Sequence, residues 1–191
     1  MTSYAEIDGQ IWMGGVVLLP TETVYGLACS AENNAAVEKI YVMKGRDFQK
    51  TLAVCVQDLA EAEKYGVFTP KALELAKTYW PGSLTLIVEA KDDLLIDENC
   101  LGESGDILTI AFRCPDAVWR DHLTGPLALT SANRSGEREC NSYEDAMETF
   151  GDSLDASLRA DAPLSGLPST IVSVLGDKIK VFRHGTVKVT I

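Results

Sequence analysis

The sequence lacks the two glycine-rich motifs that most often hold nucleotide phosphates. Neither the phosphate loop ending in Gly-Lys-Ser/Thr nor the dinucleotide fingerprint occurs in its 191 residues. It has only two histidines, His122 and His184, and neither has a carboxylate or cysteine partner at triad or metal-ligand spacing. Any bound nucleotide must therefore be held by another device, and histidine is not indicated as a general base.

Paired cysteines are also missing. The five cysteines are odd in number and widely spaced, without the paired spacing of zinc or redox motifs; they are Cys29, Cys55, Cys100, Cys114 and Cys140. Buried, reduced thiols are the expected state.

Positive charge is scarce, with 17 Lys and Arg against 28 Asp and Glu and a formal net charge of −11. This balance disfavours a surface built for nucleic-acid backbones, although it is compatible with a local basic cleft. An acidic exterior repels nucleotides unless Mg²⁺ or a focused positive pocket intervenes. No apolar run spans a bilayer and the first twelve residues do not fit a signal peptide, so we expect a cytoplasmic protein without membrane contact.

Length and a hydrophobic content of 46% predict one compact domain over residues 1–191. Short apolar or β-branched runs predict strands at 16–19, 52–56, 84–88, 107–112, 127–129, 170–174 and 179–182. Helical spacing follows Asn33 or Asn34 and stops at Gly45, and Asp58 caps a helix through Tyr65. Thr69-Pro70 starts a further helix that ends near residues 80–82, with helical segments also near 117–122 and 142–149.

The fold class predicted from these elements is α/β. Short connections such as the Gly176-Asp177 turn cannot be parallel crossovers, so the sheet is expected to be mixed. We predict a single domain with a large twisted parallel and antiparallel sheet flanked by helices.

Three basic residues lie at the end of the predicted helix that stops at Gly45 and in the segment after it. In an extended segment Lys44 and Arg46 would face one site together, and Lys50 would add a third charge suited to a polyphosphate. A solvated loop with ordinary basic residues explains the same pattern.

Polar side chains also follow predicted strands. Ser131 and Asn133 are two residues apart after strand 127–129, so their side chains are expected on the same face. Ligands collect beyond strand ends in α/β sheets, which places the pair to bind a ribose or phosphate. A turn in which both side chains bond to backbone groups explains the same residues equally well. The segment 20–27 carries two hydroxyls, a carboxylate and a phenol in one predicted loop. Arg113 and Arg183 each follow directly after a predicted strand. Either arginine could bind a ligand or could be an ordinary exposed residue at the strand end.

Seven of these segments, taken in order, resemble the YrdC-like threonylcarbamoyl-AMP synthase family in its short, single-domain form. The matching motifs are Pro-Thr-Glu-Thr-Val-Tyr-Gly-Leu at 20–27, Lys-Gly-Arg at 44–46, Trp-Pro-Gly at 80–82, Arg-Cys-Pro-Asp at 113–116, Thr-Ser-Ala-Asn-Arg-Ser-Gly at 130–136, Ser-Thr-Ile-Val at 169–172 and Phe-Arg-His-Gly at 182–185. The resemblance implies a concave site on a twisted α/β fold.

The resemblance also implies an activity. Such enzymes condense L-threonine, bicarbonate or CO₂ and ATP, with Mg²⁺ expected, into threonylcarbamoyl-AMP and pyrophosphate. A tRNA-modifying complex then uses the product to form N6-threonylcarbamoyladenosine. An RNA-binding module without catalysis, or a paralogue with another carbamoyl or nucleotide activity, remains an alternative, and direct RNA contact stays open.

Site residues carry over by motif. Lys44 and Arg46 are the implied catalytic pair. ATP-binding residues are implied at Arg46, Lys50, Thr109, Ser131, Asn133 and Arg183. Threonine-binding residues are implied at Thr23, Arg113, Leu129 and Ser169. No metal ligands are assigned. The sequence departs from the family pattern at Asp47, at Cys55 and within residues 139–142.

Overall fold

The computed structural model describes residues 2–176 and 178–189 of the chain. Its α-helices are α1 (Tyr4–Trp12), α2 (Asn34–Lys44), α3 (Leu59–Tyr65), α4 (Pro70–Tyr79) and α5 (Tyr143–Phe150). Its strands are β1 (Val17–Pro20), β2 (Tyr25–Ser30), β3 (Ala53–Cys55), β4 (Gly66–Val67), β5 (Leu84–Ala90), β6 (Leu101–Ser104), β7 (Ile107–Arg113), β8 (Leu127–Ser131), β9 (Ala156–Ser157), β10 (Thr170–Leu175) and β11 (Lys178–Arg183). None of the helices in these ranges has the length and apolar character needed to cross a membrane.

The strands form one mixed sheet, which confirms the predicted fold class. Its order is β11-β10-β5-β7-β3-β8-β2-β1-β9, with β4 paired to β5 and β6 paired to β7. The pairs β5/β10, β3/β7 and β1/β9 are parallel, whereas β5/β7, β3/β8 and β2/β8 are antiparallel. Strands β10 and β11 pair antiparallel as expected from their short connection, although Asp177 of the predicted turn lies outside the described residues.

The predicted helix ends are confirmed where capping residues mark them. Asn33 accepts a hydrogen bond from the amide of Ala36 at the start of α2, and Gly45 ends the helix in the left-handed region at φ 58°. Thr69 caps α4 and Pro70 occupies its first turn. The segment near 117–122 is only a short 3₁₀ helix, Val118–Asp121.

Five of these helices and strands were not predicted, namely α1, β2, β4, β6 and β9. Helix α1 begins with a capping box, in which Ser3 and Glu6 bond each other's backbone amides at 2.6 and 3.2 Å. Strand β2 contains residues 25–27, which the sequence analysis placed in a loop. That expectation was wrong because β1 and β2 pair antiparallel and are joined by a short turn. In this turn the amide of Thr21 donates a hydrogen bond to the carbonyl of Val24 at 3.2 Å.

The two faces of the sheet are covered differently. Helices α2 to α5 pack on one face, over buried side chains such as Val54, Leu86 and Phe112. On the other face, α1 and Trp119 cover a smaller apolar cluster that includes Leu127. The candidate site lies on this second face, beside the smaller cluster.

Candidate functional site

A cavity of about 250 Å³ lies over the central strands. Thr85 on β5 is opposite Arg113 on β7, and Ile87 is opposite Ala111, so their side chains share one face and line the cavity together. The sheet is mixed, so the carboxyl ends of its strands do not all meet at one edge. The expectation that ligands collect beyond the carboxyl ends of the strands stays a prediction.

Six of the residues carried over from the family line this cavity: Arg46, Arg113, Leu129, Ser131, Ser169 and Arg183. They come from five separate stretches of the chain, and the sheet brings them together. The other five, Thr23, Lys44, Lys50, Thr109 and Asn133, are not part of its lining. Their binding roles stay predictions.

Lys44 does not face the cavity beside Arg46. It is the last residue of α2 and is 2% exposed. Its ammonium donates to the carbonyl of Ser131, to the carbonyl of Asn133 at 2.7 Å and to the Asn133 side-chain oxygen at 3.2 Å. The expected alternation was wrong because Lys44 is helical and Gly45 is left-handed, so the segment is not extended. Burial, followed by the charge of Arg46, lowers the pKa of Lys44 to about 8.

The Ser131–Asn133 segment is itself internally bonded. Ser131 Oγ donates to Asn133 Oδ1 at 2.6 Å, and Asn133 Nδ2 donates to the carbonyls of Arg134 and Glu137 at 2.9 Å each. Ser131 reaches the cavity while Asn133 is buried behind it. Asn133 therefore holds the loop in shape rather than touching the cavity.

Arg46 reaches the cavity from the loop after α2. Its Nε donates to the carbonyl of Lys50 and its Nη2 to the carbonyl of Thr51, both at 2.9 Å. These bonds leave part of the guanidinium fork for a ligand. The Lys50 side chain is exposed, and only its carbonyl supports Arg46.

Arg183 enters from the last strand. Its Nε donates to the carbonyl of Ser169 at 2.9 Å, and its Nη2 donates to the Ser169 hydroxyl at 3.2 Å. The Ser169 hydroxyl also bonds Thr85 Oγ1 at 2.8 Å. Ser169 thus links the guanidinium group of Arg183 to the hydroxyl of Thr85 within one cavity.

Arg113 is the most enclosed cation of the cavity, at 7% exposed. Its Nη2 donates to Glu22 Oε1 at 2.9 Å and to Thr23 Oγ1 at 2.7 Å. Thr23 is completely buried and bonds Thr21 Oγ1 at 2.8 Å. Thr23 therefore orients Arg113 from behind the cavity wall.

Thr109 is on the same face of β7 as Ala111 and Arg113, because alternate strand residues point the same way. It is buried against Gly102, where an added Cβ would lie 3.0 Å from its hydroxyl. Thr109 is therefore next to the cavity lining, beyond Ala111.

Sequence reasoning missed two contributors to the site. Thr85 lines the cavity and bonds Ser169, and its signal was a hydroxyl inside an otherwise apolar strand. Glu22 was noted within segment 20–27 without a role, yet it pairs with Arg113. Only the sheet order brings Glu22 to Arg113, 91 residues away in the chain.

The three departures from the family pattern also have defined places. Asp47 accepts from the amide of Gln49 at 3.0 Å within its own loop. Cys55 is buried in the smaller apolar cluster, and burial raises the pKa of its thiol. Ser142 caps α5 by accepting from the amide of Asp145 at 3.1 Å. None of the three lines the cavity.

Comparison with known proteins identifies the family. The model of the Sua5/YciO/YrdC family, described as "Telomere recombination", matches residues 10–185. The chain belongs to the Sua5/YciO/YrdC family. This assignment confirms the resemblance inferred from the motifs.

Individual Sua5/YciO/YrdC relatives agree with the assignment. A protein of Methanocaldococcus jannaschii is 30% identical over 183 residues, which cover 94% of this chain and 84% of that protein. The threonylcarbamoyl-AMP synthase of Bacillus subtilis is 35% identical over 176 residues, covering 89% of this chain and 49% of that protein. The chain therefore spans about half the length of the B. subtilis relative.

A solved Sua5 structure supports the fold. The P. abyssi Sua5 complexed with L-threonine superposes with a TM-score of 0.86 at 28% identity, over 95% of this chain and 54% of that chain. The central sheet and the cavity face described above thus belong to a fold for which an amino-acid complex has been solved.

Proposed function

We propose that this chain is a threonylcarbamoyl-AMP synthase, condensing L-threonine, bicarbonate or CO₂ and ATP into threonylcarbamoyl-AMP and pyrophosphate. The observation that carries the proposal is the meeting of Arg46, Arg113, Ser131, Ser169 and Arg183 on one cavity. Relatives named threonylcarbamoyl-AMP synthase and a Sua5 complex with L-threonine support it. The family match over residues 10–185 supports treating residues 1–191 as the one domain that carries the activity.

The nucleotide is assigned to the side of the cavity with Arg46, Ser131 and Arg183. Two guanidinium groups supply bidentate donors for phosphate oxygens, and the Ser131 hydroxyl supplies a further polar contact. Lys44 acts through Ser131 and Asn133, because its ammonium is already occupied by their oxygens. Lys50 adds positive charge from outside the cavity, and Thr109 extends the nucleotide side along β7.

Threonine is assigned to the side with Arg113, Thr23, Ser169 and the backbone at Leu129. Arg113 pairs with the carboxylate, while Ser169 supplies a hydroxyl partner for the threonine side chain. Ser169 also contacts Arg183, so the two substrates lie next to each other.

In the proposed reaction the unprotonated amine of threonine bonds to the carbon of CO₂ and releases one proton to solvent, which gives a carbamate. A carbamate oxygen then bonds to the α-phosphorus of ATP as the bond to pyrophosphate breaks. The protein supplies no nucleophile. Its residues hold the two substrates together, which contributes about 7–11 kcal/mol in favourable cases, and they stabilise phosphoryl charge.

Mg²⁺ is proposed to arrive with the triphosphate. Within residues 2–176 and 178–189, no group of three or more His, Cys, Asp or Glu side chains is placed to hold a metal ion. The cation cluster on the nucleotide side suits a magnesium-bound polyphosphate better than a protein-bound metal. We further propose a cytoplasmic location and transfer of the product to a tRNA-modifying complex.

The direct test is pyrophosphate release from ATP, with threonine and bicarbonate omitted in turn. Full release only with all three substrates supports the synthase. A paralogue with another activity would release pyrophosphate without threonine. Salt-dependent RNA binding without ATP turnover would instead favour an RNA-binding module, which the net charge of −11 disfavours.

A further inference from the structure

Three polar side chains form one hydrogen-bonded chain along the cavity wall. The Thr85 hydroxyl bonds the Ser169 hydroxyl at 2.8 Å, and Arg183 Nη2 donates to the same Ser169 hydroxyl at 3.2 Å. Arg183 Nε also donates to the backbone carbonyl of Ser169 at 2.9 Å. All three residues line the cavity, and they belong to β5, to the position just before β10 and to β11, which are neighbours in the sheet. The guanidinium group of Arg183 is thus attached to Ser169 at two points.

The Thr85 hydroxyl is a buried polar group in an apolar strand. Thr85 is 3% exposed, and Leu84 and Leu86 beside it in β5 are fully buried. Among the residues that the structure describes, the only hydrogen-bond partner of this hydroxyl is Ser169. Burying a hydroxyl is unfavourable unless it is bonded, whereas valine has the same shape without that requirement. Because a bonded pair can be replaced by apolar groups at little loss of stability, the stability of the sheet does not explain a hydroxyl here.

The bond to Thr85 determines where the Ser169 hydroxyl points. A serine hydroxyl has one proton and two acceptor sites. Arg183 occupies one acceptor site, and Thr85 occupies either the proton or the other acceptor site. Without Thr85 the Ser169 side chain is free to adopt another staggered rotamer, and Arg183 Nη2 then loses its acceptor. Thr85 therefore holds Ser169 in the rotamer that bonds Arg183.

Arg183 keeps most of its donors for a ligand. A guanidinium group has five N–H donors, and only one from Nε and one from Nη2 are used on Ser169. Bidentate binding of a phosphate depends on the orientation of the planar fork. The direction that Ser169 gives to Arg183 therefore matters for binding of a nucleotide.

We propose that Thr85 is a positioning residue for nucleotide binding, because its hydroxyl holds Ser169 and Ser169 fixes the Arg183 guanidinium group for the phosphates of ATP. This inference rests on the proposed function, which assigns Arg183 to the nucleotide side of the cavity. It adds a residue on β5 that lies outside the seven family motifs. Thr85 acts through its neighbours and needs no contact with ATP itself.

Nucleotide binding by two variants of Thr85 tests the role of the hydroxyl. Calorimetry with Mg²⁺ and an ATP analogue that cannot be cleaved after the α-phosphate, without any amino acid, measures binding on the nucleotide side alone. Thr85→Val keeps the shape but removes the hydroxyl, so the affinity should fall about 3- to 10-fold. Thr85→Ser keeps the hydroxyl and should bind within about twofold of the unchanged protein. A packing role predicts the reverse order, with Thr85→Ser the weaker binder, and that result would overturn the proposal.

A double-mutant cycle tests the route through Ser169. Ser169→Ala should lower the affinity for the analogue by a factor similar to that of Thr85→Val. Adding Thr85→Val to Ser169→Ala should then weaken binding by less than about twofold, because the partner of Thr85 is already gone. Losses that multiply in the double variant would show that the two residues act independently, which contradicts the proposed route.

Ser173→Ala is the matched control. Ser173 is a buried hydroxyl on the neighbouring strand β10 and does not line the cavity, so its removal should leave the affinity for the analogue unchanged. An equal loss in Ser173→Ala would assign the effect to a general disturbance of the sheet and would reject the positioning role. If Thr85→Val does not fold, Thr85→Ala takes its place in the same comparisons with Thr85→Ser and Ser169→Ala.

The two proposals fail separately. If the chain forms threonylcarbamoyl-AMP but Thr85→Val binds the analogue as tightly as the unchanged protein, only the inference about Thr85 is wrong. If the variants bind as expected but no threonylcarbamoyl-AMP forms, the inference holds and the proposed synthase activity is wrong.

Discussion

The ammonium of Lys44 donates to the backbone carbonyl of Asn133 at 2.7 Å, although the two residues are 89 positions apart. The same ammonium holds the carbonyl of Ser131, whose side chain faces the cavity. The end of α2 and the end of β8 are thus joined by one buried cation, and the Ser131–Asn133 loop depends on that cation for its shape.

Replacing Lys44 with Met should remove this connection. Three oxygens lose their donor, so we expect the free energy of unfolding to fall by about 1–3 kcal/mol and kcat/KM for ATP to fall at least about tenfold. Chemical denaturation and steady-state kinetics measure the two effects. Lys39→Met is the control, because Lys39 donates to the carbonyl of Gly14, whereas no cavity residue accepts from it. Similar activity of both variants would contradict the positioning role of Lys44.

The lowered pKa of Lys44 predicts a pH dependence of stability. With a native pKa of about 8 against the reference value of 10.5, the folded protein loses this proton at a lower pH than the unfolded chain. The unfolded chain then binds more protons between these values, so this group's contribution to the unfolding free energy rises with pH there. The rise reaches at most about 3 kcal/mol. Unfolding free energies of the unchanged protein and Lys44→Met, compared at several pH values, should diverge in that direction, and a constant difference would refute the shift.

Arg46 should be essential where Lys50 is not. Arg46 lines the cavity, whereas the Lys50 side chain is exposed and contributes only its carbonyl to Arg46. Arg46→Ala should abolish adenylate formation, lowering it at least about 100-fold without unfolding the protein. Lys50→Ala should lower adenylate formation by less than about tenfold. Arg138→Ala, which removes an exposed arginine outside the cavity, is the control and should leave adenylate formation unchanged. Near-normal pyrophosphate release by Arg46→Ala would remove it from the nucleotide site.

Threonine should stimulate ATP consumption more than serine or valine when bicarbonate is present. Ser169 lines the cavity and Thr23 orients Arg113, so a ligand hydroxyl has a partner that valine cannot use. We expect kcat/KM for valine to be at least about tenfold lower than kcat/KM for threonine. Pyrophosphate release with each amino acid measures this threonine-to-valine ratio, and Ser169→Ala should reduce the ratio. Equal stimulation by valine would argue against a threonine pocket.

Local signals predicted local structure well. Asn33 and Gly45 marked the ends of α2, and Thr69-Pro70 marked the start of α4, because capping depends on neighbouring residues. The capping box of Ser3 and Glu6 carries the same kind of signal for α1, but a comparison of the first twelve residues with a signal peptide does not detect it.

The site required information that local patterns do not contain. The bonds from Lys44 to Asn133 and from Arg113 to Glu22 depend on which strands become neighbours. Sequence spacing placed Lys44 beside Arg46, whereas the left-handed Gly45 separates them. Resemblance to a family selected eleven residues, of which six line one cavity, whereas the pairing of Glu22 with Arg113 emerged only from the folded chain.

The most direct measurement of the central claim is mass detection of the product formed from ATP, L-threonine and ¹³C-labelled bicarbonate. We predict threonylcarbamoyl-AMP whose mass increases by one unit with the label and which is absent when any substrate is omitted. Purified, folded protein that forms no such adenylate, or that forms one without incorporating the bicarbonate carbon, would contradict the proposed synthase activity.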